Sequence, residues 1–130
     1  YGISGVSVDF RDIEAEANSG DERAKLSLDV FHELVASYIA KCAIAMNGID
    51  VITFAAGVGE KGQDSRQAIC EKLEFLGVKL DKEKNQEIRN VEAKISSNES
   101  KIQVYVVPTN EELMIAKETR DIIEKIWLKI

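Results

Sequence analysis

A chain of 130 residues, 45% hydrophobic and 31% charged, can build one globular domain with a modest core. Its net charge of −6, from 23 acidic against 17 basic residues, argues against nucleic acid or an anionic membrane as partner, since both call for basic patches. No apolar run approaches the ~20 residues of a membrane span, and the first residues lack the pattern of a secretory signal.

Tyr1 to Val8 is a loop rich in small residues. No initiator methionine precedes Tyr1-Gly2-Ile3-Ser4-Gly5, which suits the interior of a longer protein. Ser7 or Asp9 offers a side-chain oxygen to cap a short helix running to about Ala17, and Asn18-Ser19-Gly20 breaks it. Asp21 opens the longest helix, which ends at Asn47-Gly48 with Gly48 as the C′ residue. Leu28, Phe31, Leu34, Val35, Tyr38, Ile39, Cys42 and Met46 recur at three- and four-residue steps and predict its buried face. His32, the only histidine, sits beside that stripe and is expected as a partly exposed bystander. Cys42 and Cys70 fall within helical patterns, far from any CxxC spacing, and are expected as reduced core thiols of a cytoplasmic protein.

Ile49 to Gly62 reads IDVITFAAGVGEKG. Val51 to Ala55 is a β-branched and aromatic run that suits a parallel strand covered on both faces. Gly57-Val58-Gly59 follows it. Glycines between a strand and a helix let the backbone approach a ligand closely, though the same turn can be an ordinary connection. Asp64 to Leu76 predicts a helix with Ile69, Leu73 and Leu76 inward, stopped by Gly77. Val78 to Leu80 is extended. Asp81 caps a helix through Glu87, and Val91, Ala93 and Ile95 alternate as an edge strand. Ile102 to Val107 is the second strong strand, ended by Pro108. Thr109-Asn110-Glu111-Glu112 matches a capping box, with Thr109 at N-cap and Glu112 reaching back. The final helix runs to about Leu128, with Met114 or Ile115, Ile122, Ile126 and Trp127 on its inner side.

Strand, helical crossover, strand, helix implies two parallel strands joined by a right-handed connection. The ends of both strands then share one edge of the sheet, where α/β folds bind ligands. Two strands are few for so many helices, so further strands are expected outside the sequence.

The segments GISGVSVDFRDIE (Gly2 to Glu14), ERAKLSLDVF (Glu22 to Phe31), FAAGVGE (Phe54 to Glu60), LEFLGVKLD (Leu73 to Asp81) and VPTNEELMIAKET (Val107 to Thr119) together carry a specific resemblance. In this order they resemble the C-terminal part of the acetate and propionate kinases, of the actin-like ATPase superfamily. The resemblance implies an α/β fold. Residues 1–130 would be part of the second actin-like (ribonuclease H-like) domain, with parallel strands, flanking helices and the domain's first strands lacking. It implies reversible phosphoryl transfer between ATP and acetate, giving acetyl phosphate and ADP, with Mg²⁺ and in a homodimer of the full enzyme. Carried over residue by residue, it implies nucleotide contacts at Asp9, Phe10 and Arg11 and at Gly57, Val58, Gly59, Glu60 and Lys61, and a magnesium role for Glu111. A carboxylate suits Mg²⁺, and an arginine suits phosphate or the face of a base. Read without the resemblance, Asp9 is a helix cap, Arg11 a solvated charge and Glu111 a first-turn acid favoured by the helix dipole.

Lys61 stands where the resemblance expects asparagine, and it cannot accept a hydrogen bond as an amide does. The family's catalytic arginines, histidine and aspartate have no counterpart in these residues, so the chain alone is expected to be inactive, with no catalytic residue of its own. Two alternatives remain at the level of sequence: a propionate kinase, and a non-catalytic module with an assembly or regulatory role.

Overall fold

The computed structural model describes residues 1–127. In chain order these form α1 (Phe10–Ser19), α2 (Glu22–Ala45), β1 (Val51–Phe54), α3 (Ala56–Lys61) and α4 (Gln63–Glu71). A short 3₁₀ turn (Glu74–Leu76) leads to α5 (Lys82–Glu87), β2 (Ala93–Lys94), β3 (Gln103–Val106) and α6 (Glu111–Trp127). The α/β architecture and the parallel pairing agree with the sequence. β1 and β3 are parallel neighbours, with Val51 opposite Gln103 and Phe54 opposite Val106. Backbone bonds from Gln103 to Asp50 (2.8 Å) and from Val107 to Phe54 (2.9 Å) extend the ladder. β2 adds an antiparallel strand on the far side of β3, giving the order β1-β3-β2. It is only two residues long, and Val91, the first member of the expected alternation, is exposed outside it.

The core lies on one face of this sheet. Ile52, Phe54, Val104 and Val106 point into it and meet Ile69, Leu73, Val78, Ile95 and Ile102. Val51 and Thr53 face the other way and are exposed, so among the described residues β1 is covered on one face rather than two. A composition with no polar alternation does not by itself say where the cover comes from.

Three helix starts follow the residues expected of them. The carboxylates of Asp9, Asp21 and Asp81 accept from the backbone N–H of Arg11 (2.9 Å), Ala24 (2.7 Å) and Lys84 (3.1 Å). Each such cap is worth about 1 kcal/mol. At the end of α2 the left-handed C′ residue is Asn47 (φ 57°), not Gly48. Gly48 N–H bonds back to Ala43 O and Asn47 N–H to Ile44 O, which is the Schellman pattern shifted by one residue. The capping box at Thr109 does not form. Asn110 is the cap, its side-chain oxygen accepting from Leu113 N–H at 2.9 Å, because Thr109 is engaged elsewhere.

Half of the bulky stripe expected inside α2 is outside: Leu34, Tyr38, Cys42 and Met46 are exposed, whereas Leu28, Phe31, Val35 and Ile39 are half-buried, Val35 and Ile39 against the main core. The most buried row is Ala24, Leu28, His32 and Ala36, spaced four apart, with Ala24, His32 and Ala36 buried. The two alanines of that row, Ala24 and Ala36, leave room for neighbouring elements to approach the helix axis closely. Val35, Tyr38, Ile39, Cys42 and Met46 line an open apolar hollow of about 440 Å³ against the strand residues Val51 and Thr53. Both cysteines are free. Cys70 is buried, which pushes its thiol up to about 12, whereas Cys42 is exposed rather than a core thiol. The helix expected over residues 64–76 is divided into α4 and the 3₁₀ turn, and Gly77 ends it at φ 95°. α6 buries none of its residues, so Met114, Ile115, Ile122, Ile126 and Trp127 form no inner face here. Leu128 lies outside the described residues.

Ile95 is fully buried and Ile122 is 58% exposed, so truncation separates them. Ile95→Ala is expected to cost about 2–5 kcal/mol and Ile122→Ala less than about 0.5 kcal/mol in urea unfolding of this chain. Similar losses for the two would put α6 inside the core and overturn this description.

Candidate functional site

The parallel pairing brings the segments after β1 and β3 to one edge of the sheet. β1 leaves through Ala55 into α3, and Ala56 takes φ 59°, an uncommon conformation for a residue with a β-carbon. The glycines thus lie within a one-and-a-half-turn helix rather than in an open loop. Their surroundings differ. A β-carbon at Gly59 would come within 3.1 Å of the Phe54 carbonyl carbon, so this glycine allows close packing of α3 on β1. A β-carbon at Gly57 would meet nothing within 4 Å.

Gly57 opens onto a hollow of about 340 Å³ between α3 and the start of α1. Its lining is Asp9, Phe10, Arg11 and Glu14 from α1 and its cap, and Gly57, Val58, Lys61 and Gly62 from the turn. Six of the nine sequence-nominated residues therefore meet: Asp9, Phe10, Arg11, Gly57, Val58 and Lys61. Phe10 is set by an edge-on contact with Phe31 of α2, ring centres 4.9 Å apart. Arg11 folds back on Asp9 in a two-pronged pair, Nη2 to Oδ2 at 2.6 Å and Nε to Oδ1 at 3.1 Å. The Arg11 guanidinium, helped by the Arg11 backbone N–H, lowers the Asp9 carboxyl to about 2. Asp9 is therefore an anionic acceptor throughout the physiological range.

Gly59, Glu60 and Glu111 do not line the hollow. Glu60 is buried, and its Oε1 accepts from Thr109 N–H at 2.8 Å and from Thr109 Oγ1 at 2.9 Å. This bond joins the segment after β1 to the segment after β3, 49 positions apart, and it is what removes Thr109 from the helix cap. The Thr109 backbone bond holds the Glu60 carboxyl below its ordinary range. Glu111 is exposed in the first turn of α6, just beyond that tie. Among the described residues no group of three or more His, Cys, Asp or Glu is arranged to hold a metal ion.

A second cleft of about 280 Å³ shares Glu14, Lys61 and Gly62 with the first and continues to Asp64, Arg89, His32 and Ser65. Burial, reinforced by the charge of Asp64, raises the Glu14 carboxyl. His32 is buried, not the bystander expected, and its Nε2 lies 2.9 Å from Ser65 Oγ, tying α2 to α4. Sequence reasoning also passed over Arg66, which is fully buried. The signal was present: Arg66 stands three and four residues before the apolar Ile69 and Cys70, on the inner face of α4.

Burial holds the His32 imidazole below the ordinary value of 6.5; Lys72 opposes its charge and Asp29 partly offsets this. The unfolded chain takes up a proton near that value while the folded chain resists it. This contribution to stability is complete above it and is lost as the pH falls through the folded value. The urea midpoint should therefore drop between about pH 7.5 and about pH 5.5, and His32→Gln should reduce the drop. An unchanged drop in the variant would show that His32 does not titrate as described.

The acetokinase family model matches residues 1–117 of the chain. The acetate kinase of Thermotoga petrophila is 57% identical over 128 residues, which are 97% of this chain and 32% of that protein. The acetate kinase of Carboxydothermus hydrogenoformans is 57% identical over 122 residues, 94% of this chain and 30% of that protein. Among solved structures, Porphyromonas gingivalis acetate kinase superposes with a TM-score of 0.85 at 43% identity, covering 94% of this chain and 31% of that one. A propionate kinase from Francisella tularensis superposes with a TM-score of 0.79 at 39% identity, covering 90% of this chain and 29% of that one. The chain thus spans about a third of the length of the curated relatives it matches. With the family model matched over nearly its whole length, the chain belongs to the acetokinase family.

Proposed function

We propose that this chain is the nucleotide-binding C-terminal portion of a cytoplasmic acetate kinase, which moves a phosphoryl group reversibly between ATP and acetate. The observation that carries the reading is the hollow itself, which gathers Asp9-Phe10-Arg11 and Gly57-Val58 with Lys61 from distant parts of the chain. Its volume of about 340 Å³ falls in the ~300–1,000 Å³ range of small-ligand sites. Phe10 supplies a flat apolar surface for a base, Asp9 an acceptor for hydroxyls, and Arg11 with Lys61 cationic donors for phosphates. Gly57 keeps the mouth open. Glu60 acts from behind, holding the turn to Thr109.

Magnesium fits only as a shared ion. Mg²⁺ is commonly held by one or two carboxylates together with substrate phosphates and water, so a lone Glu111 is an adequate protein ligand once a nucleotide is present. The ion would neutralise phosphate charge during transfer. The groups that stabilise the transferring phosphoryl are not among these residues, so the chain by itself binds nucleotide without turnover. The remaining two-thirds of the relatives' length would supply them, along with the acyl site and the surfaces of a homodimer.

The deciding experiment is ADP binding to the 130-residue chain with Mg²⁺, followed by amide shifts at residues 9–11 and 57–61. Gly57→Leu fills the hollow and is expected to weaken ADP at least about tenfold with no loss of the folded state. Binding that is unaffected by the filled hollow would place the nucleotide elsewhere. The same preparation should form no acetyl phosphate above background.

In the full-length enzyme, Glu111→Ala should reduce turnover and raise the magnesium requirement far more than Glu112→Ala. Both acids occupy the first turn of α6 and feel the same helix dipole, but successive helical residues point ~100° apart. Equal kinetic losses for the two variants would remove the metal role from Glu111.

A further inference from the structure

Arg66 is a buried guanidinium with no carboxylate partner among the described residues. All of its bonds go to neutral acceptors: Nε to Asn85 Oδ1 (2.8 Å), Nη1 to Gly59 O (2.9 Å) and Glu60 O (3.0 Å), and Nη2 to Asn85 O (2.9 Å) and Ile88 O (2.8 Å). Five donors thus meet five acceptors. Burying a charge is costly unless something compensates it, and the chain places two helix ends there. α3 stops at Lys61 and α5 at Glu87, and their last carbonyls have no partner within the helix. Gly59 and Glu60 belong to the first end, Asn85 and Ile88 to the second. The partial negative charges of both ends converge on one cation. Asn85, also fully buried, is fixed in turn by its Nδ2 bond to Gln63 O at 2.9 Å.

We propose that Arg66 is the positioning residue of the nucleotide turn, clamping the carbonyl side of α3 to the end of α5 and so fixing the face that Gly57, Val58 and Lys61 turn to the hollow. This rests on the nucleotide reading given above. With Gly59 O and Glu60 O held from behind, α3 has little freedom to rotate or fray, although it has fewer than two turns and no side-chain cap at its start. The Glu60 carbonyl takes a further bond from Asn90 N–H at 3.1 Å, so the segment after α5 is fastened to the same point. Lysine cannot replace the planar fork: its ammonium carries three donors from a single atom.

The test uses the 130-residue chain with ADP and Mg²⁺ as probe, comparing wild type with Arg66→Lys, Arg66→Gln and Asn85→Ala. Arg66→Lys keeps a cation between the helix ends. It is expected to retain most of the urea midpoint while weakening ADP at least about tenfold and speeding amide exchange over residues 56–62 by a similar factor, with β3 exchange unchanged. Arg66→Gln should exceed both effects; if it does not fold, Asn85→Ala, which keeps the Gly59, Glu60 and Ile88 bonds, should give the same pattern in smaller measure. Exchange over residues 56–62 within about twofold of wild type in folded Arg66→Lys, or an affinity loss matched only by a uniform loss of stability, overturns the positioning role. Absence of ADP-dependent shifts in the wild type overturns the nucleotide reading instead, and the exchange data, recorded without ligand, still report whether Arg66 holds the turn.

Discussion

The parallel pairing of β1 and β3 is the constraint from which the rest of the structure follows. Parallel neighbours cannot be joined by a hairpin; the chain must travel back along the sheet before the second strand begins. Here the return path is α3, α4, α5 and β2, and its apolar residues Ile69, Leu73, Val78 and Ile95 cover the inner face of the two strands. The same geometry sends both strand ends to one edge. Only because of that can the Glu60 carboxylate, just after β1, reach the backbone of Thr109, just after β3. An antiparallel arrangement would have put those groups at opposite ends of the sheet.

The edge is held mainly by polar bonds. Glu60 joins the two turns, Arg66 joins α3 to α5, and the His32–Ser65 contact joins α2 to α4. No buried side-chain nitrogen or oxygen among the described residues lacks a partner. In a region of low dielectric such bonds are strong when complete and costly when one member is lost. The small hollow between α1 and α3 therefore has its walls tied from behind, while Arg11 and Lys61, which face it, are exposed.

Local chemistry was readable in the sequence at three helix starts and in two strands. Asp9, Asp21 and Asp81 cap helices because a carboxylate reaches an orphan N–H within its own turn, and Val51–Phe54 and Gln103–Val106 form strands within the two β-branched runs because such runs favour extended backbone. Faces were read less well. The bulky stripe of α2 and the apolar side of α6 have the period of buried surfaces, but periodicity shows which residues lie together, not what covers them. In α2 the buried row includes Ala24 and Ala36, which an apolar stripe of bulky residues does not single out, while only the Leu28, Phe31, Val35 and Ile39 part of that stripe is half-buried. At the site, the meeting of Asp9-Phe10-Arg11 with Gly57-Val58 came from the resemblance and not from spacing. Thr109 shows the reverse limit: its capping box was locally sound and lost to a carboxylate 49 positions away, which no window of neighbouring residues contains.

Ala56 has its own bearing on how much change the turn tolerates. A left-handed backbone costs a residue with a β-carbon about 1–2 kcal/mol, and alanine bears the least of it among side chains without a local hydrogen bond to offer. Val, Ile and Thr would add crowding at the branched carbon to that cost. In a saturation library this position should accept glycine and asparagine beside alanine and little else, although Ala56 is exposed. A filter based on burial would mark it as neutral. The backbone makes it one of the more restricted places in the chain, and it sits one residue before Gly57 at the mouth of the hollow.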